Sequence, residues 1–169
     1  MKSTTNKLGN LDRPTPKVKS FSLMVQYATE CTAVPTRSQF RRWAKAALMQ
    51  EAEIVVRLVD EMEGRELNQQ FRNKNYATNV LTFVYDDMQP LTGDIILCAP
   101  VISEEALQQH KYLTAHYAHL TIHGMLHLQG YDHVEDADAA TMEQLETQIL
   151  TKLGFENPYL EYDDANSVQ

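Results

Sequence analysis

Cysteine, long apolar runs and basic residues are all scarce in this 169-residue sequence, and each shortage excludes a class of protein. The two cysteines, Cys31 and Cys98, stand 67 positions apart and share no metal-ligand spacing, so we expect reduced, buried thiols and no disulfide framework. No run approaches the roughly 18 apolar residues that a membrane-spanning helix needs. Residues 1–17 also lack the apolar centre of a secretory signal. The sequence therefore predicts a cytoplasmic protein that has no membrane partner.

The shortage of basic residues at first argues against a nucleic-acid partner. Lysine and arginine number 15 against 23 aspartates and glutamates, which gives a formal net charge of -8, whereas nucleic-acid affinity depends mainly on cations that neutralise phosphates. However, nine of the acids and only Lys152 of the bases fall in residues 134–169. Residues 1–133 hold the other 14 acids and 14 bases. The acidic balance thus does not exclude a nucleic-acid partner such as RNA, and it predicts that the C-terminal helix and tail would face away from such a partner.

Apolar periodicity predicts a single α+β domain. Alternating apolar residues predict strands, and apolar residues spaced three to four apart predict helices. The predicted strands are 18–28, 53–59, 79–85 and 94–99, and the predicted helices are 36–50, 60–71, 103–110, 113–129 and 135–153. Because strands come early and helices late, we expect a mostly four-stranded mixed sheet with helices packed on it. Residues 1–17 are predicted to be a flexible lead-in, 18–160 the folded domain and 161–169 an acidic tail.

All six histidines fall between residues 110 and 133, and four of them share one face of the predicted helix 113–129. They are His116, His119, His123 and His127. At about 100° per residue, these four side chains span an arc of roughly 80°. Since His123 and His127 are four residues apart, their rings lie one turn apart and are able to converge on a single ion.

The segment HGMLHLQGYDH extends this pair to the spacing HxxxHxxGxxH. Gly130 follows the helix, where a left-handed turn would bring His133 back beside the first two histidines. Three imidazoles suit one Zn²⁺ but also Ni²⁺ or another divalent transition metal, so the spacing predicts a site better than it names its metal. The alternative is a cluster of structural histidines. Asp132 is predicted to accept a hydrogen bond from a ligand ring or a bound water, or else to be an ordinary turn residue.

The predicted metal helix is zincin-like but lacks one residue of the zincin proteases. The metzincin signature HExxHxxGxxH carries a glutamate after the first histidine, which acts as the general base. Gly124 occupies that position here and has no side chain to move a proton. Met142, nine residues after His133, lies in an apolar helical stripe and is expected in the core. Peptide hydrolysis is therefore disfavoured.

Together with the segments LNQQFRNKNYATNVLTF (67–83) and GDIILC (93–98), the histidine segment resembles the YbeY family of bacterial metallo-endoribonucleases, which are ribosomal RNA maturation factors. The resemblance covers about residues 18–160. It implies a single-strand-specific endoribonuclease that uses one zinc-like ion, matures the 3' end of 16S ribosomal RNA and takes part in late quality control of 70S ribosomes. By matching position, it implies that the metal ligands are His123, His127 and His133, and that the family's functional arginine is Arg72.

The residues themselves are compatible with this chemistry. Three neutral histidines leave the full charge of the metal to attract a phosphodiester oxygen, and such an ion lowers the pKa of bound water to about 7 without a glutamate. A planar guanidinium suits phosphate oxygens, so Arg72 is predicted to stabilise the growing charge, unless it is a solvated surface arginine. The candidates for proton transfer are His119, on the metal face of the helix, and Asp132, beside a ligand.

RNA contacts are predicted at two further places. Arg41 and Arg42, with Arg37 and Lys45, fall on one side of the first predicted helix and form a candidate RNA-facing strip, or else a solvated helix face. Asn79 is predicted to bond the RNA backbone or to cap the following strand. The expected partners are single-stranded RNA, ribosomal RNA and the small ribosomal subunit, with no DNA. The alternative functions are a non-catalytic ribosome-assembly factor with a structural ion and, third, a metalloprotease or amidohydrolase.

Overall fold

The computed structural model describes residues 20–132 and 134–160. The predicted lead-in 1–17, the tail 161–169 and His133 lie outside the described residues. Each predicted strand and helix corresponds to one element of the described chain. In order, they are β1 (Phe21–Ala28), α1 (Arg37–Ala46), β2 (Ala52–Val59), α2 (Glu61–Arg72), β3 (Val80–Asp86), β4 (Leu91–Cys98), α3 (Ala99–Gln108), α4 (Leu113–Leu128) and α5 (Asp136–Lys152).

Several element boundaries differ from the prediction: α1 ends at Ala46 rather than at residue 50, and both β4 and α3 begin earlier than predicted. β4 begins at Leu91 rather than at residue 94, since Leu91 pairs with Ala52 in the ladder with β2. α3 begins at Ala99 rather than at residue 103, directly after β4. A proline lies in its first turn, where the missing N–H removes no helical hydrogen bond. The apolar run that continues through both elements therefore hides the point where strand becomes helix.

The four strands form one mixed sheet in the order β1-β2-β4-β3. β1, β2 and β4 are parallel, and β3 pairs antiparallel with β4. Parallel neighbours need a crossover connection, which α1 provides between β1 and β2. The order places β1 and β3 at opposite edges of the sheet. The predicted α+β class with a four-stranded mixed sheet is therefore confirmed.

Helices cover both faces of this sheet, as the two hydrophobic clusters on either side of β4 show. Ile95 lies in the main hydrophobic core with residues of α1, α4 and α5. Ile96 lies in a smaller cluster, against which Leu67 of α2 packs. α4 is enclosed between the sheet and α5, so ten of its sixteen residues are buried. Met142 is a core residue, as predicted.

α4 comes close to β4 at Gly124. A Cβ atom at this position would lie 3.1 Å from the Cγ2 atom of Ile95, which is tighter than ordinary van der Waals contact. The glycine therefore permits close packing, and the glutamate that zincin proteases carry here would require the Ile95 side chain to shift. After the helix ends at Leu128, the predicted left-handed turn follows at Gly130, whose φ is 100°.

No helix within residues 20–132 and 134–160 is long and apolar enough to cross a membrane. Cys31 and Cys98 are both free thiols. Cys98 is buried, as predicted, and this burial raises its pKa to about 11. Cys31 is only half-buried, so the prediction of two buried thiols is wrong for this residue.

Candidate functional site

Two of the predicted metal ligands, His123 and His127, lie together on the exposed side of α4. Their rings are stacked, with an angle of 9° between their planes and 6.1 Å between their centroids. They line a small cavity of about 120 Å³. The other residues that line it are Arg72, Val80, Leu81 and Thr82. One turn of α4, the edge strand β3 and the end of α2 thus meet at one cavity.

The hydrogen bonds of the two rings indicate which nitrogen is suited to bind a metal. His123 Nδ1 lies 2.6 Å from Glu146 Oε1, and His127 Nδ1 lies 2.9 Å from the carbonyl oxygen of Tyr131. A carboxylate and a carbonyl only accept hydrogen bonds, so Nδ1 carries the proton in each neutral ring and Nε2 carries the lone pair. This is the arrangement in which metal-binding histidines are usually held. The donor set therefore fits a divalent transition metal, while the third predicted ligand, His133, lies outside the described residues.

Glu146 of α5 is the main site residue that the sequence analysis missed. It is completely buried and its carboxylate accepts from His123 Nδ1, from His119 Nε2 at 2.8 Å and from the hydroxyl group of Tyr159. Burial alone would raise the pKa of Glu146, but the hydrogen bonds from His119, His123 and Tyr159 outweigh it and lower this pKa to about 2. Glu146 is therefore an anion that joins α5 to the histidine row of α4.

A signal for Glu146 was present in the sequence. The buried residues of α5 are Met142, Glu146 and Leu150, which are spaced four apart in one apolar stripe. A carboxylate at such a position is rarely buried without a partner. The prediction that the C-terminal helix and tail face away from the RNA stays a prediction, but α5 contributes one acid to the histidine row. Exposed acids of α5 such as Glu143 point to solvent, whereas Glu146 contacts the site.

His119 and Asp132, the candidates for proton transfer, occupy different surroundings. His119 is largely buried, with 13% of its side chain exposed, and its Nε2 atom bonds Glu146. It precedes His123 by one turn of α4 and does not line the cavity that contains Arg72. Asp132 is exposed in the turn after α4. The acceptors that the structure places on Nδ1 of the two ligand rings are Glu146 and Tyr131, so a role for Asp132 stays a prediction.

Arg72 reaches the cavity from the opposite face of the sheet. It is the last residue of α2, and Asn73 ends this helix in the left-handed conformation with a φ of 57°. The guanidinium passes over the edge of β3, where Nη2 donates to the carbonyl oxygen of Thr82 at 3.0 Å. Its central carbon lies 5.6 Å from the centre of the Phe83 ring. These two contacts hold an exposed cation beside His123 and His127.

Asn79 has the strand-capping role that the sequence left as one of two alternatives. Its Oδ1 atom accepts from the backbone N–H of Val80 at 2.7 Å, at the first residue of β3. Its Nδ2 atom donates to the carboxylate of Glu105, which also bonds His116 Nε2 at 2.7 Å. These bonds tie β3 to α3 and α4. An RNA contact by Asn79 stays a prediction.

The predicted arginine strip lies at the other side of the molecule. Arg41 and Arg42 are exposed on α1, and the guanidinium of Arg41 lies 5.3 Å from the ring of Phe21 in β1. β1 and β3 are separated by three strand spacings of about 4.8 Å each, so the strip stands roughly 14 Å or more from the edge that carries Arg72. The structure does not bring Arg41 and Arg42 into the cavity. An RNA strand of several nucleotides would be needed to contact both places.

Replacement of both Arg41 and Arg42 by glutamate is expected to weaken the binding of single-stranded RNA and to flatten its salt dependence. Each lost phosphate contact lowers the slope of log affinity against log salt by about 0.7 for a single strand. Anisotropy of a labelled RNA at several salt concentrations measures this slope. Lys152→Glu, a charge reversal on α5, is the control. If the double variant binds like the unaltered protein at every salt concentration, the strip does not contact RNA.

Comparison with known proteins identifies the family of this chain. The sequence profile of the family described as Endoribonuclease YbeY matches residues 25–154. Endoribonuclease YbeY of Nitrosomonas europaea is 64% identical over 138 residues, which cover 82% of this chain and 84% of the relative. Endoribonuclease YbeY of Nitrosospira multiformis is 53% identical over an alignment of 186 residues, gaps included, which covers 99% of this chain and 98% of the relative.

A solved structure is similar in fold. The solution structure of TM1509 from Thermotoga maritima matches with a TM-score of 0.50 and 27% identity, over 83% of this chain and 98% of that chain. The region matched by the family profile includes α4 with His123 and His127, and it includes Arg72. The resemblance inferred from the histidine, arginine and GDIILC segments is confirmed: the chain belongs to the Endoribonuclease YbeY family.

Proposed function

We propose that this chain is a metal-dependent endoribonuclease that cleaves single-stranded RNA. The observation that supports the proposal is the meeting of His123, His127 and Arg72 at one cavity, in a chain of the Endoribonuclease YbeY family. Imidazoles suit a divalent transition metal, and a guanidinium suits phosphate oxygens, so the three groups together are suited to a metal-assisted reaction at a phosphodiester. The family resemblance extends the proposal to maturation of the 3' end of 16S ribosomal RNA and late quality control of 70S ribosomes in the cytoplasm.

The residues that would hold the metal are His123, His127 and, by sequence match, His133. Zinc is the ion we propose, since three imidazoles suit it, although Ni²⁺ fits the same donors. When bound, the ion supplies Lewis-acid chemistry, because it polarises a phosphoryl oxygen and acidifies a water molecule. Glu146 and the carbonyl group of Tyr131 orient two of the ligand rings through Nδ1. They also fix the proton on Nδ1, which leaves Nε2 of each ring as the lone-pair donor that would bind a metal.

Arg72 would bind the phosphate that reacts. Its guanidinium has five N–H donors, one of which is directed to Thr82 O, so the side chain is held at the cavity while other N–H groups are able to bond phosphate oxygens. Charge that develops on those oxygens during phosphoryl transfer is stabilised by a cation already in place. Catalysis of this reaction depends mainly on positioning and charge, and both are properties of Arg72 here.

Replacement of Arg72 by alanine is expected to lower RNA cleavage by about 100- to 1000-fold, the usual effect of removing one transition-state donor. The cleavage rate of Arg72→Lys should lie between those of Arg72→Ala and the unaltered protein, since an ammonium group keeps the charge but lacks the planar guanidinium geometry. The assay is cleavage of a short single-stranded RNA by metal-loaded protein, with the same sequence in a duplex as the control substrate. Metal content and circular dichroism show whether the variants remain folded and loaded.

Each outcome of this assay decides one point. If metal-loaded, unaltered protein leaves single-stranded RNA intact, the proposed nuclease function is wrong and the assembly-factor alternative takes its place. If the protein cleaves RNA and Arg72→Ala cleaves it equally well, the function stands and the role of Arg72 is wrong. Metal-dependent cleavage of a peptide panel would restore the amidohydrolase alternative.

A further inference from the structure

A row of aromatic side chains lies next to the cavity, on β3 and α2. The row consists of Phe71, Phe83 and Tyr85. Phe71 and Tyr85 are 52% and 69% exposed, which is a large exposure for such apolar rings, and Phe83 is half-buried between them. Contiguous exposed apolar surface of this kind usually marks a binding site.

This aromatic row is continuous with the candidate active site. A second cavity of about 340 Å³ runs over the edge of β3 and is lined by Phe83, Val84 and Tyr85. It shares Arg72, Thr82 and His127 with the histidine cavity. A polymer whose phosphate is bound at Arg72 and His127 would therefore pass directly into the aromatic cavity with its next unit.

The three rings are held in place before any ligand binds. Phe71 meets the Phe83 ring edge to face, with 5.0 Å between centroids, and the guanidinium of Arg72 lies 5.6 Å from the same ring. The hydroxyl group of Tyr85 donates to Asp94 at 2.6 Å. Because their positions are fixed by these contacts, the rings lose little conformational freedom when something stacks on them.

We propose that Phe71, Phe83 and Tyr85 form a stacking platform for unpaired nucleobases of the RNA strand, beside the phosphate that Arg72 binds. This inference rests on the proposed nuclease function. Every base is able to stack on an aromatic ring, so stacking depends little on sequence. It suits an enzyme that recognises whether a strand is unpaired rather than which bases it contains. In a duplex both faces of each base are already stacked, so a platform of this kind selects single strands.

The charges around the platform favour a base over a phosphate at Tyr85. Asp94 bonds the hydroxyl of Tyr85, and the exposed Asp86 and Asp87 follow it directly in the chain. These carboxylates would repel a phosphate, whereas a neutral base tolerates them and offers N–H donors. Arg72, at the other end of the row, is the cation that holds the backbone. The row therefore separates backbone from base, as expected for a nucleic-acid subsite rather than for a protein-binding patch.

The test uses the double variant Phe71→Ala/Tyr85→Ala in the full-length, metal-loaded protein. Stacking energies per base predict that each single replacement weakens the binding of a short single-stranded RNA by about tenfold. In each single variant KM should rise by a similar factor while kcat stays near its original value, since the rings do not touch the reacting phosphate. A 2-aminopurine placed beside the cleaved position should lose the fluorescence quenching that stacking causes. Tyr85→Trp keeps an aromatic ring at this position and should therefore retain both binding and quenching.

Two controls distinguish the platform from a general loss of structure. Tyr112→Ala removes an aromatic ring that is 87% exposed at the start of α4 and lines neither cavity, so it should leave RNA affinity unchanged. Thermal unfolding reports whether the double variant is folded. If the folded double variant binds and stacks RNA like the unaltered enzyme, the platform is wrong and the nuclease function stands. If that variant also fails to bind small ribosomal subunits, the aromatic row contacts a protein partner instead. If the unaltered protein neither binds nor cleaves RNA, the proposed function fails.

Discussion

Alanine in place of His127 is expected to abolish metal binding and to lower RNA cleavage by about 1000-fold or more, because the ion contributes several kcal/mol of charge stabilisation to the transition state. His127 is held by the Tyr131 carbonyl in the orientation that presents Nε2 to the cavity. His119, the imidazole one turn before His123 on α4, does not replace His127, because its Nε2 atom bonds the buried Glu146 and it does not line the cavity. A site left with two of three neutral donors no longer retains a divalent ion against dilution.

The measurement is metal content after dialysis together with single-turnover RNA cleavage, and His110→Asn is the matched control. His110 lies on an exposed turn with a φ of 52°, a left-handed conformation that asparagine tolerates. This control should keep its metal and its activity. A His127→Ala protein that still binds one ion per chain with unchanged affinity would show that the metal lies elsewhere.

Local periodicity explains why the histidine pair was predictable and why its supports were not. His123 and His127 are four residues apart, so the helix alone brings their rings together. Glu146 lies on another helix, and its contact with His123 depends on how α5 packs against α4. The sequence carries a trace of that packing, since Glu146 occupies a core position of α5, but it does not say which side chain the carboxylate meets.

Arg72 illustrates the same limit at longer range. Its chemistry was clear from the residue type, and the family resemblance selected it. Its arrival at the cavity needs α2 on one face of the sheet, α4 on the other, and β3 at the edge between them. The strand order β1-β2-β4-β3 follows from long-range pairing, which the apolar pattern of each strand does not encode. The number of strands and the fold class were therefore predictable, whereas the neighbours of the edge strand were not.

Replacement of Glu146 by glutamine is expected to weaken metal binding by about 10- to 100-fold, the usual effect of losing the group that orients a ligand histidine. The carboxylate accepts hydrogen bonds from two rings and one hydroxyl group. An amide has a single acceptor oxygen, and its NH₂ group would face an N–H of His119 or His123. His123 would then lose its orientation or its tautomer. Glu146→Ala should also lower stability by about 1–3 kcal/mol for each buried polar group that it leaves unpaired.

Glu143→Gln provides the matched control, since it removes the same charge from the exposed side of the same helix. Competition with a chelator measures metal affinity, and thermal unfolding of the metal-free protein measures stability without reference to activity. Tyr159→Phe removes one donor to the carboxylate and leaves both histidine bonds, so it should lower metal affinity less than Glu146→Gln does. This graded series separates orientation of His123 from simple packing, because packing alone would make the isosteric Glu146→Gln variant indistinguishable from Glu143→Gln in its metal affinity.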